Sequence, residues 1–255
     1  MIGHLVAAPV LERAPARGVV AGVVRTAAYL ELDGFVVALT ARGVPLMPNG
    51  VALADHLRPL HVGTAVHLTE TGLRGDGWSV SWSEVWDPTV PKSHGAAPER
   101  GAAILRGHPP TPEGLGAAGV EIAASDGVRA LLHALRTGES PDAHGLLGLG
   151  PGLTPEGDDL LAGAAAAVAA LEPWSSERRA AWLAAVAPPD AAARTTKLSA
   201  TLLALAARGQ AIEPVHALLD LEHERWEPAL ERLERLGHST GRCYAAAVGA
   251  AALLS

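Results

Sequence analysis

Cysteine, lysine and long apolar runs are scarce in this sequence of 255 residues, and each scarcity excludes a class of protein. Cys243 is the only cysteine, so an intrachain disulfide or a zinc site of several thiolates is impossible. Lysine occurs only as Lys92 and Lys197, and the formal net charge of -7 disfavours binding to nucleic acid or to an anionic membrane surface. The longest apolar runs, residues 160–171 and 244–254, are well short of the roughly 20 residues of a membrane span.

What is present is typical of a globular protein, with 49% hydrophobic and 18% charged residues. The first residues, MIGHLVAAPVLERAP, lack the charged and apolar regions of a signal peptide. Together with the single cysteine, this predicts a protein of the reducing cytoplasm.

The first ninety residues read as short strands separated by turns. Residues 18–32 are rich in Val, Tyr and Leu, and Asp33-Gly34 after them is a hairpin turn pattern. Residues 62–69 and 78–86 alternate in polarity, and residues 72–77 are predicted to form the turn between them. Several short strands with such turns favour a small antiparallel barrel or sandwich.

The second half has helical spacing. Ser125 suits the N-cap and Gly138 the end of one helix, in which apolar residues recur every three or four positions. Further helices are predicted at residues 154–171, 176–186, 191–207 and 241–254, with another one ending at Gly237. The predicted class is α+β, with a β-rich domain (residues 1–90), a linker rich in proline and small residues (91–124) and a helical domain (125–255).

The most informative segment is GLGPGLTPEGDDLLAG, residues 148–163. Its glycines free the backbone and leave N–H groups unshielded, while Thr154 suits an N-cap and Pro155 the first helical position. A glycine loop that leads into a helix N-terminus is a geometry that holds anions. The anion-binding candidates in this segment are Gly148, Gly150, Gly152, Thr154 and Gly157.

This segment is neither a Walker loop nor a dinucleotide fingerprint, because it lacks Gly-Lys-Ser/Thr and the G-x-G-x-x-G spacing. Glu156, Asp158 and Asp159 fall in the first helical turn. Two adjacent aspartates would repel a bare phosphate, and a Mg²⁺ ion bridging one of them to the phosphate would resolve this. Since neighbouring helical side chains point about 100° apart, one of the two aspartates is predicted to face the site. The alternative is an ordinary helix start whose acids only complement the dipole.

Two later segments are candidates for the same site. Thr195 and Ser199 lie one helical turn apart, so both hydroxyls can face a ligand or bond back into their own helix. In GHSTG, residues 237–241, Ser239 or Thr240 would cap a helix. His238 could contact a ligand or act as an acid or base, and the alternative is a capped, partly buried histidine.

At these three segments the chain resembles the AllH subunit family of oxamate carbamoyltransferase. GLGPGLTPEGDDLLAG is similar to the central motif of that family, and TTKLSATLLALAARG and GHSTG are similar to its two later motifs. The strand segment VVRTAAYLEL and Trp86-Asp87-Pro88 also look like the family, so the resemblance covers nearly the whole chain.

The resemblance implies carbamoyl transfer between oxamate, as oxalurate, and phosphate in anaerobic allantoin breakdown, together with other carbamoyltransferase subunits. The implied substrate is a small anion: carbamoyl phosphate, oxamate or phosphate. Under this hypothesis Asp158, Asp159 and His238 are the catalytic candidates, and Mg²⁺ on Asp158 or Asp159 is the one suggested cofactor. The predicted binding residues of the later segments are Thr195, Ser199, Ser239, Thr240, Gly241 and Arg242.

The competing hypothesis is a non-catalytic anion-binding or scaffold subunit, because no catalytic dyad stands at short spacing. One departure from the family bears on this choice. Relatives often carry an acid two residues after the last glycine of GHSTG, where this chain has Cys243, preceded by Arg242. The Arg242 guanidinium could hold a carboxylate or a phosphate. Glu222-His223-Glu224 is predicted to be a solvated helix face and not a metal site.

Overall fold

The computed structural model describes Met1 and residues 3–93, 98–106, 108–171, 174–221 and 226–254. The chain divides into two compact units, Met1–Pro88 and Thr89–Ser255. The first unit is built on strands and the second on helices, which confirms the predicted α+β class and the order of its two parts.

The first unit contains one mixed sheet. Its strands are β1 Gly3–Ala7, β2 Ala16–Val23, β3 Ala27–Leu32, β4 Phe35–Thr40, β5 Gly50–Leu53, β6 Ala65–Thr69, β7 Gly72–Gly75, β8 Trp78–Ser81 and β9 Glu84–Trp86, with a short helix, α1 Ala8–Leu11, after β1. The order across the sheet is β8-β7-β6-β2-β3-β4-β5-β1-β9. Neighbours run antiparallel except for the parallel pairs β4–β5 and β1–β9.

This sheet curls so that β1 approaches β8 near the other end of the strand order. A Cβ added at Gly3 would lie 2.4 Å from the Ser81 carbonyl oxygen. The curl encloses apolar side chains of alternating strand positions, including the fully buried Val20, Leu30 and Leu39. The predicted hairpin turn at Asp33-Gly34 is confirmed, since both residues have positive φ, 48° and 84°.

Some strand boundaries were wrong. Residues 18–32 form two strands and not one, because the Val24 N–H bonds to the Ala27 carbonyl at 2.8 Å and turns the chain. Residues 72–75 are a strand and not a turn. The run 78–86 is broken after Ser81, and β9 pairs with β1 far from β8 in the strand order. Alternation of polarity continues across this break, so the pattern alone does not reveal it.

Within the described residues, the regular structure of the second unit is helical apart from one isolated bridge between Thr89 and Gln210. Its helices are α2 Pro98–Ile104, α3 Pro112–Ala117, α4 Asp126–Thr137, α5 Glu156–Leu171, α6 Ser176–Val186, α7 Ala191–Arg194, α8 Lys197–Ala206, α9 Glu213–Leu219, α10 Glu227–Glu234 and α11 Thr240–Leu254, with a 3₁₀ turn at Ala143–Gly145. The caps predicted for α4 are confirmed: the Ser125 hydroxyl accepts from the Val128 N–H, and Gly138 is left-handed.

Helices α5 and α11 form the centre of this unit. Every residue of α5 is buried, as expected for a helix that is apolar on all sides. The small side chains let the two helices approach closely, and a Cβ at Gly163 would lie 2.9 Å from the Tyr244 carbonyl oxygen. The acids that open α5 are therefore carried into the interior by the packing of the rest of the helix.

Three helix predictions were wrong in detail. The predicted helix 191–207 is split into α7 and α8, because Thr195 is extended with φ -135° and ψ -175°. Helix α5 begins at Glu156, so Pro155 precedes it and Thr154 does not cap it. Helix α9 was missed. Glu222-His223-Glu224 lies outside the described residues.

Candidate functional site

The glycine loop, residues 148–155, leads into the N-terminus of α5. Gly148, Gly150 and Gly152 all have positive φ, at 72°, 105° and 102°. At Gly148 the requirement for glycine is also steric, since a Cβ would lie 2.4 Å from the Arg194 carbonyl oxygen. This contact brings the first motif against the segment that precedes α8. The tip of the loop is exposed, and the Leu153 side chain has 53% of its surface accessible.

Asp158 joins the glycine loop to the second motif. One oxygen of its carboxylate accepts from the Gly148 N–H at 3.0 Å, and the other accepts from the Thr195 hydroxyl. The predicted alternative, in which the Thr195 hydroxyl bonds back into its own helix, is therefore wrong. Asp158 is 2% exposed, so its two bonds hold the loop and the start of α8 together from inside the protein.

Thr196 is a contact residue of this junction that the sequence analysis missed. Its hydroxyl accepts from the Ser199 N–H at 3.1 Å and caps α8. The same hydroxyl donates to the Leu153 carbonyl at 2.6 Å, which fixes the tip of the glycine loop. A threonine three residues before the backbone N–H that it caps is an N-cap pattern, and placing the helix start at Lys197 would have found it.

Asp159 lies at the junction of the glycine loop with the third motif. The Thr154 and Thr240 hydroxyls are 2.8 Å apart and share a hydrogen bond, and both lie close enough to the Asp159 carboxyl to lower its pKa. Thr240 is the first residue of α11. The Oδ2 atom of Asp159 is buried and has no partner among the described residues. Unlike Asp158, this carboxyl has unused hydrogen-bonding capacity.

Glu156 attaches a further segment to the same helix start. Its Oε2 accepts from the backbone N–H groups of Glu121 and Ile122, at 3.0 and 3.3 Å. Glu156 is 1% exposed, and the sequence analysis assigned it only to the helix dipole. Two backbone donors on one carboxylate oxygen fix the turn at residues 119–122 beside α5.

The three sequence motifs thus meet at the N-termini of α5, α8 and α11. Each N-terminus carries a partial positive charge of roughly +0.5. The buried carboxylates of Asp158 and Asp159 lie among these three ends. The three N-termini, at Glu156, Lys197 and Thr240, are far apart in sequence, and they are brought together by the packing of α5 against α8 and α11.

Burial dominates the electrostatics of the two aspartates. Desolvation raises the pKa of Asp158, and the hydrogen bonds from Thr195 and Gly148 and the nearby Ser199 hydroxyl oppose it. Desolvation raises the pKa of Asp159 well above its usual range. Bonds from Thr240 and Thr154 lower it, while the charges of Asp158 and Glu156 raise it further. Asp159 is therefore the carboxyl that holds a proton more readily.

Three buried polar atoms have no hydrogen-bond partner in the described part of this site: Asp159 Oδ2, Ser199 Oγ and Arg242 Nε. Ser199 is 1% exposed, and its hydroxyl lies close enough to lower the pKa of Asp158 without bonding to it in good geometry. Orphaned buried polar atoms are uncommon in folded proteins, because each loses its hydration without replacement. Here they cluster at the junction of the three motifs.

The side chains of His238 and Ser239 lie in different environments at the start of α11, one exposed and the other buried. The His238 side chain is exposed, and no hydrogen bond or ion pair joins it to another described residue, so the interpretation as a partly buried, capped histidine is wrong. Ser239 is buried, and its carbonyl accepts from the Cys243 N–H at 2.9 Å. Gly241 packs so closely on Leu233 that a Cβ would lie 1.6 Å from its carbonyl oxygen. Ser239 and Gly241 shape the start of α11, and a catalytic role for His238 stays a prediction.

Cys243 is no candidate nucleophile. Burial raises the pKa of its thiol, and the charges of Glu156 and Asp159 raise it further, against the lowering effect of Arg242. A thiol that resists ionisation in this way is chemically inert. Cys243 therefore serves as a small apolar residue of the core.

No three His, Cys, Asp or Glu side chains are arranged to hold a metal ion anywhere in the described ranges. The oxygens of Glu156 and Asp158 that bond are already occupied by N–H and hydroxyl donors. The residues therefore do not fit a Mg²⁺ site as they stand. In the same ranges, no helix has the length and apolar character needed to cross a bilayer.

The fold and the site define an α+β protein whose helical unit contains a glycine loop where the N-termini of α5, α8 and α11 come together. Residues 146–253 match the model of the family described as oxamate carbamoyltransferase subunit AllH. The resemblance expected from the sequence is confirmed over this range, which contains all three motifs. Searches of curated proteins and of solved structures gave no match.

Proposed function

We propose that this chain is a subunit of an oxamate carbamoyltransferase, and that its site binds the small carbamoyl compound on which the enzyme acts. The observation that carries the proposal is the convergence of the three motifs on the start of α5, where Thr195 bonds to Asp158, Thr154 bonds to Thr240, and the buried Oδ2 of Asp159 lacks a partner. The match of residues 146–253 to the family supports it. Because the family is described as a subunit, we also propose that other subunits complete the enzyme.

The reacting molecules have an amide end and an anionic end, and the site offers groups for both. Backbone N–H groups of the glycine loop and the positive ends of α5, α8 and α11 favour the anionic end. Asp159 Oδ2 and Ser199 Oγ favour the amide end, since an amide nitrogen donates hydrogen bonds that these oxygens can accept. Both residues are buried, so binding requires a local movement of the residues around them.

In the proposed reaction, an oxygen of phosphate attacks the carbamoyl carbon of oxalurate. The bond from that carbon to the oxamoyl nitrogen breaks, the nitrogen gains a proton, and oxamate and carbamoyl phosphate leave. Asp159 holds this nitrogen, and its protonated form supplies the proton, since its raised pKa keeps a proton on it more readily. Such a transfer needs no enzyme nucleophile, because positioning and charge neutralisation carry it.

A second candidate function is a non-catalytic subunit that only binds the anion. It is favoured by the exposed position of His238 and by the inert thiol of Cys243, which leave Asp159 as the single group assigned to proton transfer. Both functions require the same binding site. They differ in whether Asp159 changes the rate of transfer after the ligand is bound.

Ligand-linked thermal unfolding tests the proposal. The protein is heated with phosphate, carbamoyl phosphate, oxamate, oxalurate or ATP, each with and without Mg²⁺. A ligand at a hundredfold excess over its Kd stabilises the native state by about 2.7 kcal/mol. We expect a clear rise in Tm with carbamoyl phosphate, oxamate or oxalurate and none with ATP.

The matched variants are Asp159→Asn, which changes the proposed ligand contact, and Asp76→Asn, which changes an exposed aspartate of the other unit. Asp159→Asn should lose most of the ligand-induced shift, while Asp76→Asn should keep all of it. A wild-type protein that unfolds cooperatively and responds to none of the carbamoyl compounds would contradict the proposal. Rates of oxalurate phosphorolysis by the assembled enzyme, measured at saturating ligand, then separate the catalytic subunit from the binding subunit.

A further inference from the structure

Arg242 is a half-buried cation for which the described protein supplies no partner. It lies in the first turn of α11, after Thr240 and Gly241. No carboxylate of the described residues forms an ion pair with it, and its Nε is buried with no acceptor. A positive charge at a helix N-terminus is unfavourable, since the helix dipole places positive charge there as well. The position of Arg242 is therefore explained by no interaction within the described chain.

The side chain of Arg242 is nevertheless held in place. Gly119 has a φ of 87°, and a Cβ at this residue would lie 3.3 Å from Arg242 Nε and 3.5 Å from Cζ. The backbone turn at Gly119 thus packs directly on the guanidinium. Glu156 fixes the same turn two and three residues later, through the N–H groups of Glu121 and Ile122. The unpartnered guanidinium is pre-organised and does not extend freely into solvent.

Arg242 and the unpartnered carboxyl of Asp159 both act electrostatically on Cys243, the residue after Arg242 in α11. The charges of Arg242 and Asp159 both act on the thiol of Cys243, one lowering and the other raising its pKa. Nε–H of Arg242 and Oδ2 of Asp159 are two unsatisfied groups of opposite hydrogen-bonding character, in the first turns of the packed helices α11 and α5. A ligand that accepts hydrogen bonds at one end and donates them at the other would satisfy both.

We propose that Arg242 is the specificity-determining residue for the anionic end of the ligand, and that it binds a carboxylate. This rests on the proposed function, since it names a residue and a chemical group of the same site. Nε–H and one terminal N–H of a guanidinium form a planar fork that matches the two oxygens of a carboxylate. Oxamate has a carboxylate for Arg242 and a carboxamide for Asp159. Oxamide has the same size and a second carboxamide in place of the carboxylate.

The experiment measures the Nε–Hε NMR signal of Arg242 in the full-length protein during titration with oxamate, oxamide, oxalate and inorganic phosphate. The signal is assigned by its loss in Arg242→Lys. We expect it to shift with oxamate and with oxalate, and to stay unchanged with oxamide. Calorimetric Kd values should show a preference for oxamate over oxamide of about 10- to 100-fold, which corresponds to one charge-assisted contact.

Two variants complete the test. Arg242→Gln should remove the preference for oxamate and leave the Kd of oxamide unchanged, and Arg242→Lys should restore part of it, since lysine keeps the charge and lacks the fork. Arg235→Gln is the matched control, because Arg235 is an exposed arginine at the C-terminal end of α10 that pairs with Glu231. It should keep the full preference. Thermal unfolding of each variant verifies that it folds.

The outcomes separate this inference from the proposed function. A shift with oxalate alone supports the carboxylate site and contradicts the binding of oxamate. A preference for oxamate that survives in Arg242→Gln overturns the role of Arg242 and leaves the proposed function standing. A signal that moves with phosphate only, or with no ligand at all, overturns the assignment of Arg242 to a carboxylate.

Discussion

The two corners of the site, one on each neighbouring aspartate, differ in how completely their polar groups are satisfied. At the corner between α5 and α8, Asp158 uses both oxygens to bind Gly148 and Thr195. At the corner between α5 and α11, Asp159 Oδ2 and Arg242 Nε have no partner among the described residues. The difference indicates that the first corner holds the loop in place, and under the proposed function a ligand completes the hydrogen bonding at the second. Adjacent residues of identical type thus have different roles, because one helical step turns them toward different elements.

A substitution at the closest contact of the corner between α5 and α8 should have the largest effect on stability. Gly148→Ala adds a Cβ 2.4 Å from the Arg194 carbonyl and requires positive φ of a non-glycine residue. We expect a loss of at least about 2 kcal/mol in the free energy of unfolding, measured by urea denaturation. Gly152→Ala is the control, since its φ is also positive and its Cβ would have only the Thr154 oxygen nearby, at 3.9 Å. Equal losses in the two variants would show that the approach to Arg194 is unimportant.

Changing each aspartate to asparagine should show that the two carboxylates contribute differently to stability. Asp158→Asn places an N–H₂ group against the Gly148 N–H or the Thr195 hydroxyl, and should cost about 1–3 kcal/mol. Asp159→Asn removes a buried charge that is poorly compensated, so its cost should be smaller or reversed in sign. Thermal unfolding at pH 7 without ligand measures both. A larger loss of stability in Asp159→Asn than in Asp158→Asn would contradict the difference between the two corners.

The pH dependence of stability should come mainly from Asp159, at the corner between α5 and α11. The folded-state pKa of Asp159 is raised above the unfolded value of about 4, so the folded state binds the proton more tightly. Asp159 therefore destabilises the ligand-free protein fully above its folded pKa, and this penalty is relieved as the pH falls toward 4. The Tm difference between Asp159→Asn and wild type should shrink over this window. A difference that is constant from pH 8 to pH 4.5 would contradict the raised pKa.

The smallest expected effect is that of Arg242→Gln on the ligand-free protein. The variant removes a charge from the positive end of α11 and breaks no ion pair of the described residues. Its free energy of unfolding should stay within about 0.5 kcal/mol of wild type, or rise. A loss of several kcal/mol in chemical denaturation would reveal a structural partner for Arg242 and weaken the distinction between the two corners.

Local chemistry explains what the sequence could predict. The glycine loop, the caps of α4 and the Asp33-Gly34 turn each depend on a few neighbouring residues, and all three are found in the structure. The break at Thr195 depends on a hydroxyl that bonds to Asp158, 37 residues away. Likewise, the parallel pairing of β9 with β1 depends on the path of the chain through the sheet.

The site was predicted as a set of motifs but not as an arrangement. Thr195, Ser199 and Thr240 are candidates because hydroxyls near helix starts can bind ligands; Thr195 bonds to Asp158, and Thr240 bonds to Thr154 and lowers the pKa of Asp159. Which aspartate is satisfied depends on the packing of α8 and α11 around α5, and periodicity carries no information on that. The roles of Glu156 and Thr196 depend on partners in other segments, residues 121–122 and Leu153.

The most direct test of the central claim is a crystal structure of the protein with oxamate bound. We predict electron density for oxamate between the N-termini of α5, α8 and α11, with its carboxamide on Asp159 Oδ2 and its carboxylate on Arg242. Density at another place in the chain, or none at a concentration that saturates binding in solution, would contradict it.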